Sequence, residues 1–421
     1  VSINVMQDVP NAALTAAAVA AFVAGTDRRS HRLLWLGSLL AGLAVLIKYS
    51  AAIVVPLLAL YALIRGRPRL ALWSLGPLLA FGLWCAHNLG VYGEFHFLNV
   101  AARASGALVN WRPNLLAVPL VVGSLLFLAP AVVWRGLERR DAVLLATAAF
   151  ACAVFGWGIR AFSRGEADAQ YLLWSLAGVV LLASCAVEGL RSGWPWLRQR
   201  SDREAADSLF LFAWVCAPLL FSSIFPPFQA VKHLLPALPP LVLLAFRYLG
   251  GTPASRGRAL GIGLTALLVL QLSTALLVAA ADYERGAAYR DFASQVRTRW
   301  GADRRVWFVG HYGWYFYAKR AGLHQIHPSG ARPGPGDLVI WPAQVNRGRS
   351  LPTPRSLGLE LEAVDRIEYR GEVPARTMSR GGAGFYALLR GRPGRRVVVP
   401  YRFFDDSPLE VFEVYEVSGA K

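Results

Sequence analysis

Long, uncharged and mostly apolar runs recur along the first two thirds of the chain, and short charged segments separate them. A helix needs about 20 apolar residues to cross the hydrocarbon core of a membrane, with about 17 as a practical minimum. Most of the runs reach that length once flanking residues are added; they are 9–26, 33–47, 49–64, 70–86, 114–134, 142–159, 171–187, 208–225, 233–246 and 259–281. The pattern predicts an α-helical polytopic membrane protein with about ten transmembrane helices.

The second and third runs are short, and only Lys48 separates them. They form either one long helix or a tight hairpin. Arginines cluster before the second run, at 28–32, and after the third run, at 65–69. Cytoplasmic loops of membrane proteins are enriched in Lys and Arg, so both clusters are expected on the cytoplasmic side. Only a hairpin with Lys48 at the outer face places them there.

The distribution of basic residues orients the remaining helices. With ten crossings, the inner loops hold 15 basic residues and the outer segments hold 6. Both ends of the chain are then expected outside the cytoplasm. The abrupt apolar start of the chain carries no basic segment typical of a cleaved signal peptide.

The last part of the chain differs from the rest, because its apolar stretches shorten to strand length and Pro/Gly clusters interrupt them. The sequence predicts strands at Arg305–Val309, Asp337–Trp341 and Arg396–Val399, and an amphipathic helix at Tyr283–Trp300. We therefore expect a transmembrane domain over residues 1–281 and a small extracytoplasmic α/β domain over residues 282–421.

Composition agrees with a membrane protein. Hydrophobic residues make up 55% of the chain and charged residues only 17%, whereas soluble proteins carry about 25% charged residues. The net charge of +18 would suggest nucleic-acid binding in a soluble protein. Here the basic loops account for much of it, so no nucleic-acid partner is expected. The four cysteines fall in four different apolar runs and have no metal-binding spacing.

An ionisable group at membrane depth costs free energy, so its presence there suggests a function. The polar residues at the expected outer face are therefore the candidates for function. Lys232 and His233 precede a proline-rich, interrupted helix, where a Lys could hold a phosphate or could simply reach the membrane surface. Lys48 and Tyr49 lie between two crossings, where they either meet a lipid phosphate or mark a turn. Arg103 is a further cation of this face.

The acidic residues Glu94 and Asp8 each have two open interpretations. Glu94 and His96 lie two residues apart in an outer loop, and they either bind a metal or a phosphate or belong to a solvated loop. Asp8 precedes a Val-Pro step, so it is either a helix cap or an acid at the mouth of the helical bundle.

Three segments together resemble the polytopic glycosyltransferases of the GT-C fold, and most closely the protein O-mannosyltransferases and the aminoarabinose transferases of lipid A. Val5-Met-Gln-Asp-Val-Pro10 resembles the family's T-D-x-P motif. Gly42-Leu-Ala-Val-Leu-Ile-Lys-Tyr49 resembles its G-L-A-x-L-T-K-Y run, and Lys232-His-Leu-Leu-Pro-Ala-Leu-Pro239 resembles its R-Y-L-L-P-A-L-P run. Two tail segments, Val306–Gly313 and Pro335–Val339, resemble the extracytoplasmic domain of bacterial members.

The resemblance implies a bacterial inner-membrane enzyme that moves a sugar from a polyprenyl-phosphate donor to a lipid, glycan or protein acceptor, with inversion. By its match to the family's motif, Asp8 is the candidate catalytic residue of this chain, as the second acid of the site. The resemblance also implies a binding site for the substrates and for the leaving lipid phosphate made of Lys48, Tyr49, Glu94, His96, Arg103, Lys232 and His233. A divalent metal is an open cofactor, and membrane lipids are the remaining expected partners.

The chain departs from the family pattern at its N-terminus. Family members have thirteen spans, and their first outer loop carries a catalytic carboxylate ahead of the segment matched by Asp8. We expect that this chain lacks the first three helices and that loop, and that such a chain is inactive or needs a partner. Two other functions remain open: a transporter or flippase of a lipid-linked sugar, and a non-catalytic membrane scaffold.

Overall fold

The protein is described by a computed structural model. The structure describes residues 7–95, 111–147, 149–150, 153, 169–198, 202–226, 229–250, 254–301, 303–310, 312–326, 330–343, 358–378, 384–385 and 399–420.

Helices make up most of the described chain. The α-helices are α1 (Asp8–Arg28), α2 (His31–Ile47), α3 (Val54–Ile64), α4 (Gly76–Tyr92), α5 (Trp111–Leu125), α6 (Ala129–Arg139), α7 (Ala169–Arg198), α8 (Arg203–Ile224), α9 (Val231–Leu234), α10 (Leu238–Leu249), α11 (Ala254–Trp300) and α12 (Tyr312–Arg320). Three 3₁₀ helices precede α3, α4 and α10, at Tyr49–Ile53, Pro68–Leu75 and Leu235–Ala237.

Several of these helices have the length and composition of membrane spans. Five described helices qualify, or six if the bent pair α5–α6 counts as one span. They are Asp8–Arg28, Pro68–Tyr92, Ala169–Trp196, Arg203–Ile224 and Gly257–Trp300. The helices α2 and α3 are apolar but shorter. The chain therefore has the helices of a membrane-spanning protein. The described residues do not test whether it crosses the membrane ten times, so that number stays a prediction.

The first two helices form a tight antiparallel hairpin. Arg29 adopts the left-handed conformation, with φ 55°, and the next amide, of Ser30, donates to the Gly25 carbonyl. A Cβ atom at Gly25 would lie 2.7 Å from the backbone nitrogen of Leu34, and one at Gly37 would lie 2.9 Å from that of Phe22. Glycine at these two positions is what allows the backbones to approach so closely.

The chain reverses direction at Lys48, as the sequence predicts. The start of α1 lies beside Lys48, which pairs with Asp8, while the end of α1 lies beside α3, where Arg65 pairs with Asp27. Because α1 reaches from one of these contacts to the other, α2 and α3 must run in opposite directions. The arginines that flank this pair of helices are therefore at the same end of the bundle, which we call the basic end.

The predicted run 114–134 is not one straight helix. The axes of α5 and α6 differ by 97° across a break of a few residues. Pro130 lacks the N–H that a continuous helix would need at this point. The Phe127 amide, released from helical bonding, donates instead to Oε1 of Gln271 at 3.1 Å.

The helices α5 and α7 pack backbone to backbone. A Cβ atom at Gly123 would lie 1.8 Å from the carbonyl oxygen of Trp174, and one at Gly178 would lie 1.8 Å from that of Pro119. Only glycine fits at either position, so the two residues set the distance between the helices.

The chain divides into two compact units. The main segment of the first unit ends at Gln271, and the main segment of the second unit starts at Leu272. The sequence instead predicts a boundary at 281/282. It also predicts a separate helix at 283–300, whereas α11 is one continuous helix of 47 residues. Neither Gly nor Pro occurs between Leu264 and Arg285, so nothing in this stretch interrupts the helix.

The second unit is built on a mixed sheet. Its strands are β1 (Val306–Phe308), β2 (His324–Gln325), β3 (Leu338–Pro342), β4 (Leu359–Tyr369) and β7 (Glu410–Ala420), and a separate pair is formed by β5 (Ala375–Arg376) and β6 (Arg402–Phe403). The order across the sheet is β2-β1-β3-β7-β4, with β1 parallel to both neighbours and β7 antiparallel to both.

Two of the three predicted strands are confirmed, at β1 and β3, and the third lies mostly outside the described residues. The C-terminal half of α11 packs against the sheet through an aromatic core in which the rings of Phe292 and Phe412 stack with centroids 3.8 Å apart. Trp314 on α12 is fully buried there and donates to the Val309 carbonyl at 3.2 Å. The predicted α/β architecture is present in this unit.

Candidate functional site

Asp8 begins α1 and does not cap it. The N-cap residue is Gln7, and no side-chain bond caps the helix. The Asp8 carboxylate instead forms an ion pair with the ammonium group of Lys48. Its side chain is only 10% exposed. Of the two open interpretations of Asp8, the structure therefore argues against the helix cap, and a functional role of this acid stays a prediction.

Lys48 reaches Asp8 because the helix breaks at this residue. Its backbone is extended, with φ −154° and ψ 114°, between the end of α2 and the following 3₁₀ helix. The Lys48 amide still donates to Ala44, and its carbonyl accepts from Ala51. Both neighbouring helices are thus held while the side chain points across to α1. The Lys48 side chain is 26% exposed, so the pair borders the surface of the bundle.

Lys232 and His233 come from a third segment, the single turn of α9. Prolines at 236, 239 and 240 prevent this turn from continuing as one regular helix into α10. His233 lies within electrostatic range of Asp8, Lys48 and Lys232. The structure thus brings together three of the predicted site residues from three separate segments, namely Asp8, Lys48 and His233, and Lys232 is the residue next to His233 in the chain.

The segment that leads into α9 is fixed by buried amides. Asn114 Nδ2 donates to the Pro226 carbonyl at 2.8 Å and to that of Ser223 at 3.4 Å. Gln229, which is 1% exposed, donates to the Ser222 hydroxyl at 3.3 Å. These contacts hold α9 against α5 and α8, so Lys232 and His233 are presented from a rigid support.

A buried polar stripe runs inward from Asp8 along α1. Asn11 and Thr15 follow Asp8 at intervals that place all three on one face of the helix. Asn11 is 3% exposed and Thr15 is 2% exposed. Among the described residues, neither Asn11 Oδ1 nor Thr15 Oγ1 has a hydrogen-bond partner. Sequence reasoning missed these residues, although polar positions spaced by three and four within an apolar run were a usable signal.

The remaining predicted residues are not part of this cluster. Glu94 is exposed beyond the end of α4 and makes no hydrogen bond or ion pair to any described residue. Since α4 lies beside α2, with Gly42 against Pro77 and Ala80, Glu94 lies roughly 12 Å past the level of Lys48. His96 and Arg103 lie outside the described residues. Only the backbone of Tyr49 is described, in the 3₁₀ helix.

A second charged cluster occupies the basic end of the bundle. Arg65 pairs with Asp27 at 3.1 Å and with Asp207 at 2.8 Å, and its Nε donates to the Tyr61 hydroxyl at 2.9 Å. The Tyr61 hydroxyl in turn donates to Asp27 at 3.0 Å. The cluster ties α1, α3 and α8 together. Sequence reasoning did not anticipate it, because nothing in the sequence pairs Asp207 with a helix so far away along the chain.

A divalent metal, which the sequence leaves open, finds no complete set of ligands in the part of the chain that the structure describes. No group of three or more His, Cys, Asp or Glu side chains there could hold a metal ion. Around Asp8 the described residues supply one carboxylate and one imidazole, which is fewer than a metal centre normally uses.

A comparison of the chain with known protein families, curated proteins and solved structures found no match in any of the three.

Proposed function

We propose that this protein is a membrane glycosyltransferase that transfers a sugar from a polyprenyl phosphate to an extracytoplasmic acceptor, with inversion at the anomeric carbon. One observation carries the proposal: Asp8 pairs with Lys48 at one end of an apolar helical bundle, and His233, the neighbour of Lys232 in the chain, lies within electrostatic range of both. A largely buried carboxylate with cationic groups close by suits this reaction.

The cations suit the leaving group. As the bond between the anomeric carbon and the phosphate oxygen breaks, negative charge develops on the polyprenyl phosphate. Preorganised positive groups stabilise such charge strongly in a site with little water. Lys232 and Lys48 would meet the phosphate as point charges. The apolar bundle around them suits the hydrocarbon chain of the donor.

Asp8 suits the acceptor. Its carboxylate would accept the proton of an acceptor hydroxyl while the hydroxyl oxygen forms a bond to the anomeric carbon. The new bond forms on the face opposite the departing phosphate, which inverts the configuration. The pairing with Lys48 would fix the orientation of the Asp8 carboxylate until the substrates are bound.

Proteoliposomes with a radiolabelled sugar on polyprenyl phosphate test the proposal. We expect the label to appear on an acceptor, and we expect Asp8→Asn to prevent this without changing expression. Movement of the labelled lipid between leaflets without transfer would identify a carrier. If no substrate binds, and none protects the outer residues from labelling, the scaffold function would replace the enzyme.

A further inference from the structure

A polar cavity opens at the basic end of the bundle, far from Asp8. Its volume is about 200 Å³, and the residues that line it include Arg65, Arg67, Arg203, Asp27 and Asp202. Asp8 and Asp27 lie at opposite ends of α1, which separates this cavity from the cluster around Asp8 by roughly 28 Å.

An apolar groove of about 390 Å³ adjoins the polar cavity. Ile64 and Arg65 line both spaces. The other walls of the groove come mainly from apolar residues of α3, α7 and α8: Leu60, Leu63, Trp196, Leu209 and Ala213. A charged compartment and an apolar groove therefore lie next to each other and share two wall residues.

The acids of the cavity are already engaged within the protein. Asp27 pairs with Arg65, and the Asp202 carboxylate accepts from the Ala205 amide at 3.0 Å, where it caps α8. The guanidinium group of Arg67 has five N–H donors. One of its nitrogens, Nη1, donates a hydrogen bond to the backbone carbonyl of Asp27. Arg203 is exposed at the rim. Arg67 and Arg203 thus line the cavity beside carboxylates that have their own partners.

We infer that these two spaces form a binding site for an anionic phospholipid, with the phosphate in the arginine cavity and a hydrocarbon chain in the groove. Arginine is well suited to a phosphate, because its planar donors can bind two oxygens at once. The adjoining groove explains why a lipid fits better than free phosphate. Arg65, locked by Tyr61, Asp27 and Asp207, forms the fixed wall between headgroup and chain.

Native mass spectrometry of the purified full chain, titrated with phosphatidylglycerol or phosphatidylcholine, tests this site. We expect the wild type to prefer phosphatidylglycerol, and we expect R67Q/R203Q to weaken its binding at least tenfold. The matched control is R32Q/R69Q, which removes the same charge from exposed arginines near this end of the bundle. The control should bind like the wild type.

The groove is tested independently by filling it. Ala213→Trp should weaken binding of phosphatidylglycerol at least fivefold, whereas Ala266→Trp, on an exposed face of α11, should not. Equal losses in R67Q/R203Q and R32Q/R69Q would overturn the site, because they would show only general charge attraction. Competition by glycerol phosphate as strong as by the lipid would also overturn it, because the groove would then contribute nothing.

Discussion

Asp8, in the first turn of α1, forms an ion pair with Lys48, which lies forty positions later in the extended break between two helices. His233, from a third segment, lies within electrostatic range of both residues. Residues that are distant in the sequence thus converge on one polar cluster in the fold.

Breaking the ion pair should affect stability and activity differently. Lys48→Met leaves a largely buried carboxylate without its partner, which we expect to cost about 2 kcal/mol of stability. Asp8→Asn should cost less, since Lys48 is partly exposed and can reach water. Transfer should fall at least about 100-fold in Asp8→Asn, the usual loss for a general base. Thermal unfolding and the transfer assay measure the two effects.

The double variant D8N/K48M separates the roles of the pair. It removes both charges, so most of the stability lost in Lys48→Met should return, whereas transfer should stay absent. Wild-type transfer in either Asp8 variant would refute the catalytic role of Asp8. A double variant as unstable as Lys48→Met would show that the ion pair is not the reason for the instability.

Lys232 should act on the donor more than on the acceptor. We expect Lys232→Ala to raise the KM for the polyprenyl-phosphate donor about tenfold, and to change the KM for the acceptor little, because an ammonium group meets the phosphate. Lys232→Arg keeps the charge and should retain most of the affinity. Initial rates at varied donor and acceptor concentrations give both constants. An unchanged donor KM in Lys232→Ala would contradict the assignment.

Asn11 should contribute to function at the expense of stability. Its side-chain oxygen is buried without a described partner, so Asn11→Leu should be as stable as the wild type or more stable by about 1 kcal/mol. If ligand hydroxyls donate to Asn11, the same variant should lose transfer activity. The matched control is Thr26→Val, at the other end of α1, where Thr26 Oγ1 also lacks a described partner.

Thr26→Val should gain stability in the same way but keep its transfer activity. A loss of stability greater than 1 kcal/mol in Asn11→Leu would show that Asn11 is paired within the folded protein. Equal activity in Asn11→Leu and the wild type would remove Asn11 from the site.

Because α5 and α7 pack so closely, we expect that adding one methyl group at their interface lowers the stability of the protein strongly. Gly178→Ala places a Cβ atom 1.8 Å from the Pro119 carbonyl oxygen, so the helices must separate, at a cost of about 3 kcal/mol. Gly82→Ala is the control, because a Cβ atom there meets nothing within 4 Å. It should be neutral or slightly stabilising. Similar melting temperatures for the two variants would contradict the described helix contact.

The sequence predicted features that depend on local pattern and on charge. The reversal at Lys48 followed from arginines on both sides of two apolar runs, and the strands β1 and β3 followed from short apolar stretches between turn residues. In these cases the residues that determine the structure are close to one another in the chain, so the sequence pattern is enough to predict it. The convergence of Asp8, Lys48 and His233 was anticipated only as positions on one face, without the ion pair.

The features that were missed depend on contacts between distant segments. The break at 126–128 needs Gln271, more than a hundred residues away, to accept from the Phe127 amide. The pairing of Arg65 with Asp27 and Asp207 likewise joins three helices. The continuity of α11 was missed for another reason, since the change in composition near 281 marks a new environment but not a break in the backbone.

The central claim is tested most directly by identifying the lipid that the protein binds at the cluster of Asp8, Lys48 and His233, to which Lys232 is the neighbouring residue. Mass spectrometry of lipids that co-purify with the protein, or that are retained after loading with polyprenyl-phosphate sugar, identifies this lipid. The account predicts a glycosylated isoprenoid phosphate that is retained by the wild type and lost in Lys232→Ala. Equal retention by both proteins, or no isoprenoid phosphate bound even after loading, would contradict it.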